Sequence, residues 1–442
     1  MRRVGVVLLV FVLLAACSPS TSDSPKAQRR SNNSRGEKRN DKKDGPEPSL
    51  SPDPAPTTTL IAEPRPWWKL EIDKILRKKP MSIQVRFHED VIYSSNAQNK
   101  RVPASTEKLV LSMALFERFG PDATFPTTLS ARRKRKGEVR GDLWVTGSGN
   151  PALAGNPIVL DQLPPGSTDI DQLVRALKSS GIETIDGNIM AATDPFARDW
   201  YAPGWKPFFP SSEVGLPTAL TFNGNIYKQH YTKRPELKLA ESFRRRLRRA
   251  GIDVSGIAGA GHAPRKLRTI ASVPSPRLVA LARFMNRQSA NFFAEVLGKK
   301  LGARSFGEPG TIAKGARAIA RYARDEGVEI EAHDSSGLSY ANQMSARDLA
   351  FLVESSEDEP WANVLRSTLA TGGEGTLKER LHGIRVRAKT GTLDEVSALA
   401  GWVWLNKTGD WAEFAILSRG MDKSSAVKVE DKIVRLLHRS AS

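Results

Sequence analysis

Three short motifs, far apart in the sequence, set the strongest constraint on how this chain can fold. They are Ser105-Thr106-Glu107-Lys108, Ser289-Ala290-Asn291 and Lys389-Thr390-Gly391. Ser105 and Ser289 are 184 residues apart, and Asn291 and Lys389 are 98 residues apart. The motifs contain a hydroxyl nucleophile, an amine base, a second hydroxyl with a carboxamide, and a lysine on a strand that ends in glycine. These are the groups for acyl transfer through a serine ester, provided that the fold brings them to one cleft.

Ser105 and Lys108 are predicted to lie one turn apart on a buried helix. Five apolar residues that follow fit such a helix, namely Leu109, Val110, Met113, Ala114 and Leu115. Residues three apart share a helix face, so the lysine amine can reach the serine hydroxyl. Burial and positive neighbours make lysine a base by lowering its pKa, and a helix N-terminus supplies positive potential and free N–H groups for an oxyanion. For this motif alone, an N-capping serine beside a solvated lysine is the alternative.

The other two motifs are predicted on a helix connection and on a strand. Ser289 and Asn291 lie between two apolar helices, a rigid place from which polar groups can point into a cleft. Apolar and basic residues alternate over 384–388, as in an edge or half-buried strand, and the strand continues through Lys389, Thr390, Gly391 and Thr392. A turn at 393–395 and a second strand over 396–405 complete a predicted hairpin. Glycine at 391 permits close approach of a ligand backbone, Lys389 supplies positive potential, and the threonine hydroxyls can bind a carboxylate.

Each motif also occurs elsewhere, and context selects among the copies. Ser425 and Lys428 begin a terminal amphipathic helix, where Ser425 is interpreted as a capping residue. Ser31-Asn32-Asn33 lies in a low-complexity segment, Ser148-Gly149-Asn150 in a loop after a strand, and Lys407-Thr408-Gly409 in a predicted hairpin turn.

With the three motifs in this order, the chain resembles the class C low-molecular-mass penicillin-binding proteins, the D-alanyl-D-alanine carboxypeptidase/endopeptidase family. The resemblance extends from about Trp67 to the C-terminus and includes the stretches 141–145, 149–151, 334–339 and 388–393. It implies an α/β (α+β) fold like that of transpeptidases and β-lactamases, with an antiparallel sheet flanked by helices. The chain differs from the family at Ala290, at Asn150 in place of an aspartate, and at Asp334-Ser335-Ser336 in place of Asp-Gly-Ser.

The long first interval predicts an additional domain between the first two motifs. Compact serine β-lactamases resemble this chain in the second interval, but their first interval is much shorter. An insertion at this point is typical of the class C family, and we expect it to span 130–268. The peptidase domain would then comprise 67–129 and 269–442.

The N-terminus predicts export and lipidation. A basic Met1-Arg2-Arg3, an apolar run and Leu14-Ala15-Ala16-Cys17 fit a lipoprotein signal peptide over 1–16 with a lipid on Cys17. The sequence contains one cysteine, so no disulfide can form within the chain. Residues 17–66 are predicted to be a disordered tether, since they contain almost no aliphatic side chains. The alternative is an uncleaved apolar N-terminus with an incidental cysteine.

The net charge of +19 includes basic runs at 132–136 and 244–249. In a cytosolic protein such runs would suggest nucleic acid, but an exported lipoprotein meets little of it, so we expect no nucleic-acid partner. Anionic wall polymers, lipid head groups or a solvated face are the alternatives. The six histidines lack the paired spacing of a metal site, and neither metal nor cofactor is expected.

The resemblance implies a serine-type D-Ala-D-Ala carboxypeptidase, or also a D,D-endopeptidase, that trims peptidoglycan stem peptides through an acyl-enzyme on Ser105 and is inhibited by β-lactams. Lys108 would deprotonate Ser105, and N–H groups of Ser105 and Thr392 would hold the oxyanion. Ser289, backed by Lys389, would pass a proton to the leaving amine, and Asn291 would orient the substrate amide. Lys389, Thr390 and Thr392 would bind the terminal carboxylate. A serine β-lactamase and a non-catalytic wall-binding or β-lactam-binding lipoprotein are the alternatives.

Overall fold

The structure, a computed structural model, describes residues 65–441. Its strands are β1 (Met81–Phe87), β2 (Asp90–Ser95), β3 (Lys100–Arg101), β4 (Thr127–Arg135), β5 (Glu138–Gly147), β6 (Leu153–Ala154), β7 (Thr168–Asp169), β8 (Thr184–Ile185), β9 (Ile189–Ala192), β10 (Ile226–Tyr227), β11 (His230–Tyr231), β12 (Asp253–Val254), β13 (Ala258–Gly261), β14 (Arg268–Val273), β15 (Met344–Ser345), β16 (Val386–Leu393), β17 (Val396–Leu405) and β18 (Asp410–Arg419). Its helices are α1 (Trp67–Leu76), α2 (Glu107–Phe119), α3 (Pro157–Gln162), α4 (Ile170–Ser179), α5 (Pro235–Arg249), α6 (Leu278–Gln288), α7 (Asn291–Phe306), α8 (Ile312–Asp325), α9 (Ala346–Ser355), α10 (Ala362–Thr368) and α11 (Lys423–Ser440). The predicted signal peptide, Cys17 and nearly all of the predicted tether lie outside the described residues.

A five-stranded antiparallel sheet, in the order β16-β17-β18-β1-β2, forms the centre of the fold. Its central strands β17 and β18 are buried on both faces, and helices cover both. Ala400 and Trp402 pack with α2 and α6 to α10 on one face, while Leu399 and Val403 pack with α1 and α11 on the other. The predicted class, an antiparallel sheet flanked by helices, is confirmed.

The helix α11 packs against this sheet as predicted, but its cap is not the predicted residue. The side chain of Asp422 accepts a hydrogen bond from the backbone N–H of Ser425 at 2.9 Å. Asp422 is therefore the N-cap and Ser425 lies in the first turn, so the expectation that Ser425 caps the helix was wrong. Aspartate and serine have similar capping preferences, and sequence alone did not separate them.

A second, seven-stranded sheet occupies the interval between the first two motifs. Its main order is β12-β8-β5-β4-β14, with β9 beside β5 and β13 beside β9. The helices α4 and α5 pack against it through apolar side chains. Thr127 in β4 pairs with Val273 in β14, so the chain leaves and returns on neighbouring strands. The predicted boundaries at 130 and 268 fall within these strands, and the division into domains stays a prediction.

The basic run 132–136 lies at one end of the seven-stranded sheet, and the run 244–249 forms the last turns of α5. Residues 132–136 form the end of β4 and its turn into β5, and Lys134 donates to the carbonyl of Ser180 just after α4 at 2.6 Å. Lys178 likewise donates to the carbonyl of Ala250 just after α5 at 2.9 Å. These lysines satisfy carbonyls at helix C-termini, where cations are favoured.

One stretch between the two motifs, residues 197–217, packs against the helices around the central sheet. Trp205, Phe209 and Val214 form an apolar cluster with Ile312 and Leu338. The fully buried Lys299 of α7 donates to three carbonyls of this stretch and pairs with Asp199 at 2.6 Å. We call this stretch the 197–217 segment. Among residues 65–441, no helix combines the length and apolar character required to cross a bilayer.

Candidate active site

Ser105 lies on a 3-10 turn, Ala104–Thr106, that runs directly into α2. The Nζ of Lys108, one turn further on, is 2.8 Å from Ser105 Oγ. Lys108 is completely buried, whereas Ser105 is partly accessible. Ala104 has a φ of 48°, in the left-handed region that costs a non-glycine residue energy. The motif is therefore held in a locally strained turn, with its hydroxyl open and its amine enclosed.

The middle motif forms the connection between α6 and α7. Ser289 ends α6 in the left-handed conformation (φ 54°, ψ 37°), and α7 begins at Asn291. The Oδ1 of Asn291 accepts a hydrogen bond from Lys108 Nζ at 2.8 Å, and Ser289 Oγ accepts one from Lys389 Nζ at 3.0 Å. This motif therefore contacts both of the others.

The third motif lies on β16, an edge strand of the central sheet. Lys389 is completely buried, and its Nζ also donates to the carbonyl of Thr390 at 2.7 Å. Thr390 is 9% exposed and Thr392 is half-buried. A Cβ at Gly391 would lie 2.7 Å from the carbonyl oxygen of Pro103, so glycine lets β16 approach the turn that carries Ser105. The close neighbour of Gly391 is thus the Pro103 carbonyl of the protein itself, which no local sequence pattern indicates.

Burial and neighbouring charges set the proton affinities of the two lysines. Burial lowers the pKa of Lys108 from 10.5 to about 8, against the opposing effect of Asp334, Glu295 and other acidic groups. Burial, and then the nearby Lys108, lowers the pKa of Lys389 well below its ordinary 10.5. An appreciable fraction of Lys108 is therefore an unprotonated amine near neutral pH, as a base requires.

The neighbours of Lys108 fit the unprotonated amine. A neutral amine has two N–H donors and one lone pair. The carbonyl oxygen of Ser336 and the Oδ1 of Asn291 are acceptors only, and both receive hydrogen bonds from Nζ. The protonated amine donates its third proton to Ser105 Oγ, whereas in the unprotonated amine, with two protons directed to Ser336 and Asn291, the lone pair faces Ser105 Oγ. This arrangement allows the amine to take the hydroxyl proton.

The loop 334–339, for which the sequence analysis gave no role, provides the Ser336 acceptor. Gly337 has a φ of 77°, and a Cβ there would lie 2.0 Å from the Ala104 carbonyl oxygen, so glycine allows the loop to pass beside the Ser105 turn. The only sequence signal was the family-like pattern of residues 334–339. Nothing local in that pattern indicates contact with a lysine 228 residues away.

The alternative copies of the motifs lie elsewhere. Ser148 donates to the carbonyl of Pro126, and Asn150 is buried against Thr168. Lys407 is exposed in the turn between β17 and β18, and Ser425 is exposed on α11. Ser31 lies outside the described residues. Within the described part of the chain, no group of three or more His, Cys, Asp or Glu side chains is arranged to hold a metal ion.

A family model and a known relative match most of the chain. The family model for the D-Ala-D-Ala carboxypeptidase 3 (S13) family matches residues 73–211 and 225–440. A D-alanyl-D-alanine carboxypeptidase of Actinomadura sp. (strain R39) is 25% identical over 438 residues, which covers 78% of each protein.

Solved structures with low sequence identity share the fold. Penicillin binding protein 4 of Haemophilus influenzae superimposes with a TM-score of 0.70 at 18% identity, over 83% of this chain and 99% of that chain. A predatory peptidoglycan endopeptidase of Bdellovibrio bacteriovorus superimposes with a TM-score of 0.51 at 18% identity, over 81% of this chain and 92% of that chain.

Proposed function

The chain belongs to the D-Ala-D-Ala carboxypeptidase 3 (S13) family, and from this membership we propose that it is a serine D-Ala-D-Ala carboxypeptidase that trims peptidoglycan stem peptides. The observation that carries the proposal is the buried amine of Lys108, 2.8 Å from Ser105 Oγ, with acceptors for both of its protons. A capping serine beside a solvated lysine, the alternative for this motif, would leave the amine in water.

Acylation begins when Ser105 Oγ attacks the carbonyl carbon of the penultimate D-alanine. The hydroxyl proton passes to Lys108 Nζ as the C–O bond forms, and backbone N–H groups of Ser105 and Thr392 hold the oxyanion. The C–N bond then breaks. Ser289 gives its proton to the leaving amine and recovers one from Lys389, 3.0 Å away. The proton that Lys108 took from Ser105 then passes to Lys389, which gave one up, so both lysines return to their starting forms. Water attacks the resulting ester with Lys108 as base, and Lys108 passes the proton it takes from water to Ser105 Oγ as the shortened peptide leaves.

The edge strand β16 binds the C-terminal end of the substrate. The hydroxyls of Thr390 and Thr392 donate to the terminal carboxylate, and Asn291 orients the substrate amide. Lys389 is buried behind them with a pKa well below its ordinary value. A bound carboxylate favours the protonated form of a neighbouring lysine, so substrate binding supplies Lys389 with the proton that the leaving amine needs.

β-Lactams are expected to acylate the same serine, because their strained amide resembles the D-Ala-D-Ala end. One structural relative is named a penicillin binding protein, which supports this expectation. Another is named a peptidoglycan endopeptidase, which supports D,D-endopeptidase cleavage as a second activity on the same site. Both reactions break a bond that follows a D-alanine.

We place the enzyme outside the cytoplasm, where peptidoglycan is found. Cys17 would carry the lipid that anchors it to a membrane, and residues 18–66 would tether the folded part to that anchor. Palmitate labelling of the full chain, compared with a Cys17→Ser variant, tests the anchor independently of activity. Equal labelling of the two proteins would exclude lipidation at Cys17.

Labelling with fluorescent penicillin tests the assignment of Ser105. The purified chain should form a stable adduct, Ser105→Ala should form none, and Ser425→Ala, in the other S-x-x-K sequence, should label like the unchanged chain. Equal labelling of Ser105→Ala would refute the assignment.

Product analysis separates this function from its alternatives. The unchanged chain should release D-alanine from a muropeptide that ends in D-Ala-D-Ala. Rapid hydrolysis of a chromogenic cephalosporin without a lasting adduct would identify a β-lactamase instead. A lasting adduct without D-alanine release would identify a non-catalytic binding protein.

A further inference from the structure

Three carboxyl groups lie buried near Lys108, and the mechanism above uses none of them. They are Glu107 on α2, Glu295 on α7 and Asp334 in the loop 334–339, and none is more than 1% exposed. Buried carboxyl groups are costly unless they are hydrogen-bonded, so their partners indicate what they do.

Asp334 organises its own loop. Among the described residues, five groups donate to its two oxygens, namely Trp205 Nε1, Ser336 Oγ, the backbone N–H groups of Gly337 and Ser339, and Asn342 Nδ2. The Gly337 N–H belongs to the same peptide unit as the Ser336 carbonyl. Asp334 therefore fixes one side of the unit that contacts Lys108.

Glu295 fixes the other side of the loop. Its Oε1 accepts hydrogen bonds from the backbone N–H groups of Ser335 at 2.9 Å and Ser336 at 2.8 Å. The helix can approach this closely because residue 298 is glycine, where a Cβ would lie 2.0 Å from Ser335 Oγ. The position of the loop relative to α7 is thus set by Oε1 of Glu295 and by the space that Gly298 leaves for the loop.

Glu295 lies four residues after Asn291, on the same face of α7. Asn291 accepts one proton of the Lys108 amine directly, and Glu295 holds the residue whose carbonyl accepts the other. The helix α7 therefore positions both acceptors of the Lys108 amine, one through Asn291 itself and one through Glu295 and Ser336. If either acceptor moves, the amine can rotate and its lone pair turns away from Ser105.

We propose that Glu295 is a positioning residue of the reaction, which acts through the Ser335 and Ser336 amides and the Ser336 carbonyl to aim the Lys108 lone pair at Ser105. This role rests on the proposed function and deepens it, because it concerns the same acylation step. Glu295 touches neither the substrate nor the reacting atoms.

The position of the oxygen, rather than a negative charge, is what the role requires. Burial, and then the neighbouring Asp334, raises the pKa of Glu295 to about 8, so near neutral pH the group is mostly uncharged. An uncharged carboxyl still offers a carbonyl oxygen to two N–H groups, and so does a carboxamide. A glutamine should therefore replace Glu295 in function, whereas an aspartate, which keeps the acid but withdraws the oxygen by one methylene, should not.

Other titratable groups around Lys108 stay the same in this comparison. They are Glu107 and Asp334, Lys389 on β16, and Glu213 in the 197–217 segment. A difference between Glu295→Gln and Glu295→Asp therefore reports the change at residue 295 alone.

The experiment measures kcat and KM for a small D-alanyl ester, together with the rate of acylation by fluorescent penicillin, in the full chain. We expect Glu295→Asp to lower kcat and the acylation rate about 100-fold with little change in KM, because a misplacement of about 1 Å at a catalytic group costs that much. We expect Glu295→Gln to stay within about threefold of the unchanged chain, since it retains both hydrogen bonds.

Matched controls separate this effect from loss of stability. Glu413 on β18 is also buried, and burial raises its pKa to about 8, but it lies away from the three motifs. Glu413→Asp should lower the melting temperature and leave the acylation rate per folded molecule unchanged. If Glu295→Asp does not fold, Glu295→Leu, which keeps the volume and has no acceptor, takes its place with the same expected loss.

Three outcomes would overturn the proposal. They are a Glu295→Asp or Glu295→Leu variant as fast as the unchanged chain, a Glu295→Gln variant as slow as Glu295→Asp, or a loss expressed in KM alone. Failure of the proposed function is distinguishable, because then the unchanged chain itself would not be acylated, or Ser105→Ala would be acylated equally.

Discussion

The first turns of α2 and α11 carry the same sequence pattern, serine followed three residues later by lysine, and they differ in almost every physical respect. The turn before α2 has no side-chain cap, and Glu107 to Phe116 are all buried. The first turn of α11 is capped by Asp422, and Ser425 and Lys428 are exposed. The pattern supplies only the reach from amine to hydroxyl. In the proposed mechanism, burial and two fixed acceptors make Lys108 the base.

Removal of the amine at each helix gives the largest expected difference. Lys108→Met should lower the rate of penicillin acylation by about 10⁴-fold, the size of effect seen when a general base is lost from a serine nucleophile. Lys428→Met should leave the rate unchanged. The measurement is a time course of fluorescent labelling. A similar small loss in both variants would show that burial does not distinguish the two helices.

The two K-T-G sequences extend the comparison to the strands. Lys389→Met should lower acylation about 100-fold, because the buried lysine supports the proton relay and the carboxylate end of the site. Lys407→Met, in the exposed turn between β17 and β18, should have no effect. Steady-state kinetics with a D-alanyl ester and labelling with penicillin would both report the difference, and an equal response of the two variants would contradict the assignment of β16.

The pH dependence tests whether Lys108 is the base. The unprotonated amine is the active form, and burial lowers the pKa of Lys108 to about 8. The acylation rate should therefore rise with pH, by about tenfold per unit well below that value, and level off above it. Stopped-flow labelling across this range would reveal the profile. A rate that falls as pH rises toward 8 would exclude an unprotonated lysine as the base.

The smallest expected effect concerns α11, which lies outside the proposed site. Asp422→Ala removes the side-chain cap of α11, so the melting temperature should fall slightly. Acylation per folded molecule should not change. Thermal melting and labelling of the same sample would show both. A change in acylation would mean that the start of α11 influences the cleft.

The sequence predicted those parts of the fold and the site that depend on local pattern. It placed Ser105 at a helix start, Ser289 at a helix connection and Lys389 on a strand of a hairpin, since helix and strand periodicity are properties of neighbouring residues. It did not give a role to Ser336 or Glu295, or predict that the carbonyl oxygen of Pro103 lies beside Gly391. These depend on contacts between distant segments, such as that between Gly391 and Pro103, which no local pattern encodes.

The hydrogen bond from Trp205 to Asp334 links the interval between the first two motifs to the loop beside Lys108. The chain enters the seven-stranded sheet on β4 and exits it on the neighbouring β14. By itself, this connectivity would allow the sheet to be removed as a unit. The 197–217 segment belongs to the same interval, however, and its Trp205 donates to Asp334, which in turn orders the loop beside Lys108. A shortened chain with only the central sheet and its helices would lose the Trp205 indole, which donates to Asp334. The two parts are therefore expected to evolve together rather than be exchanged independently.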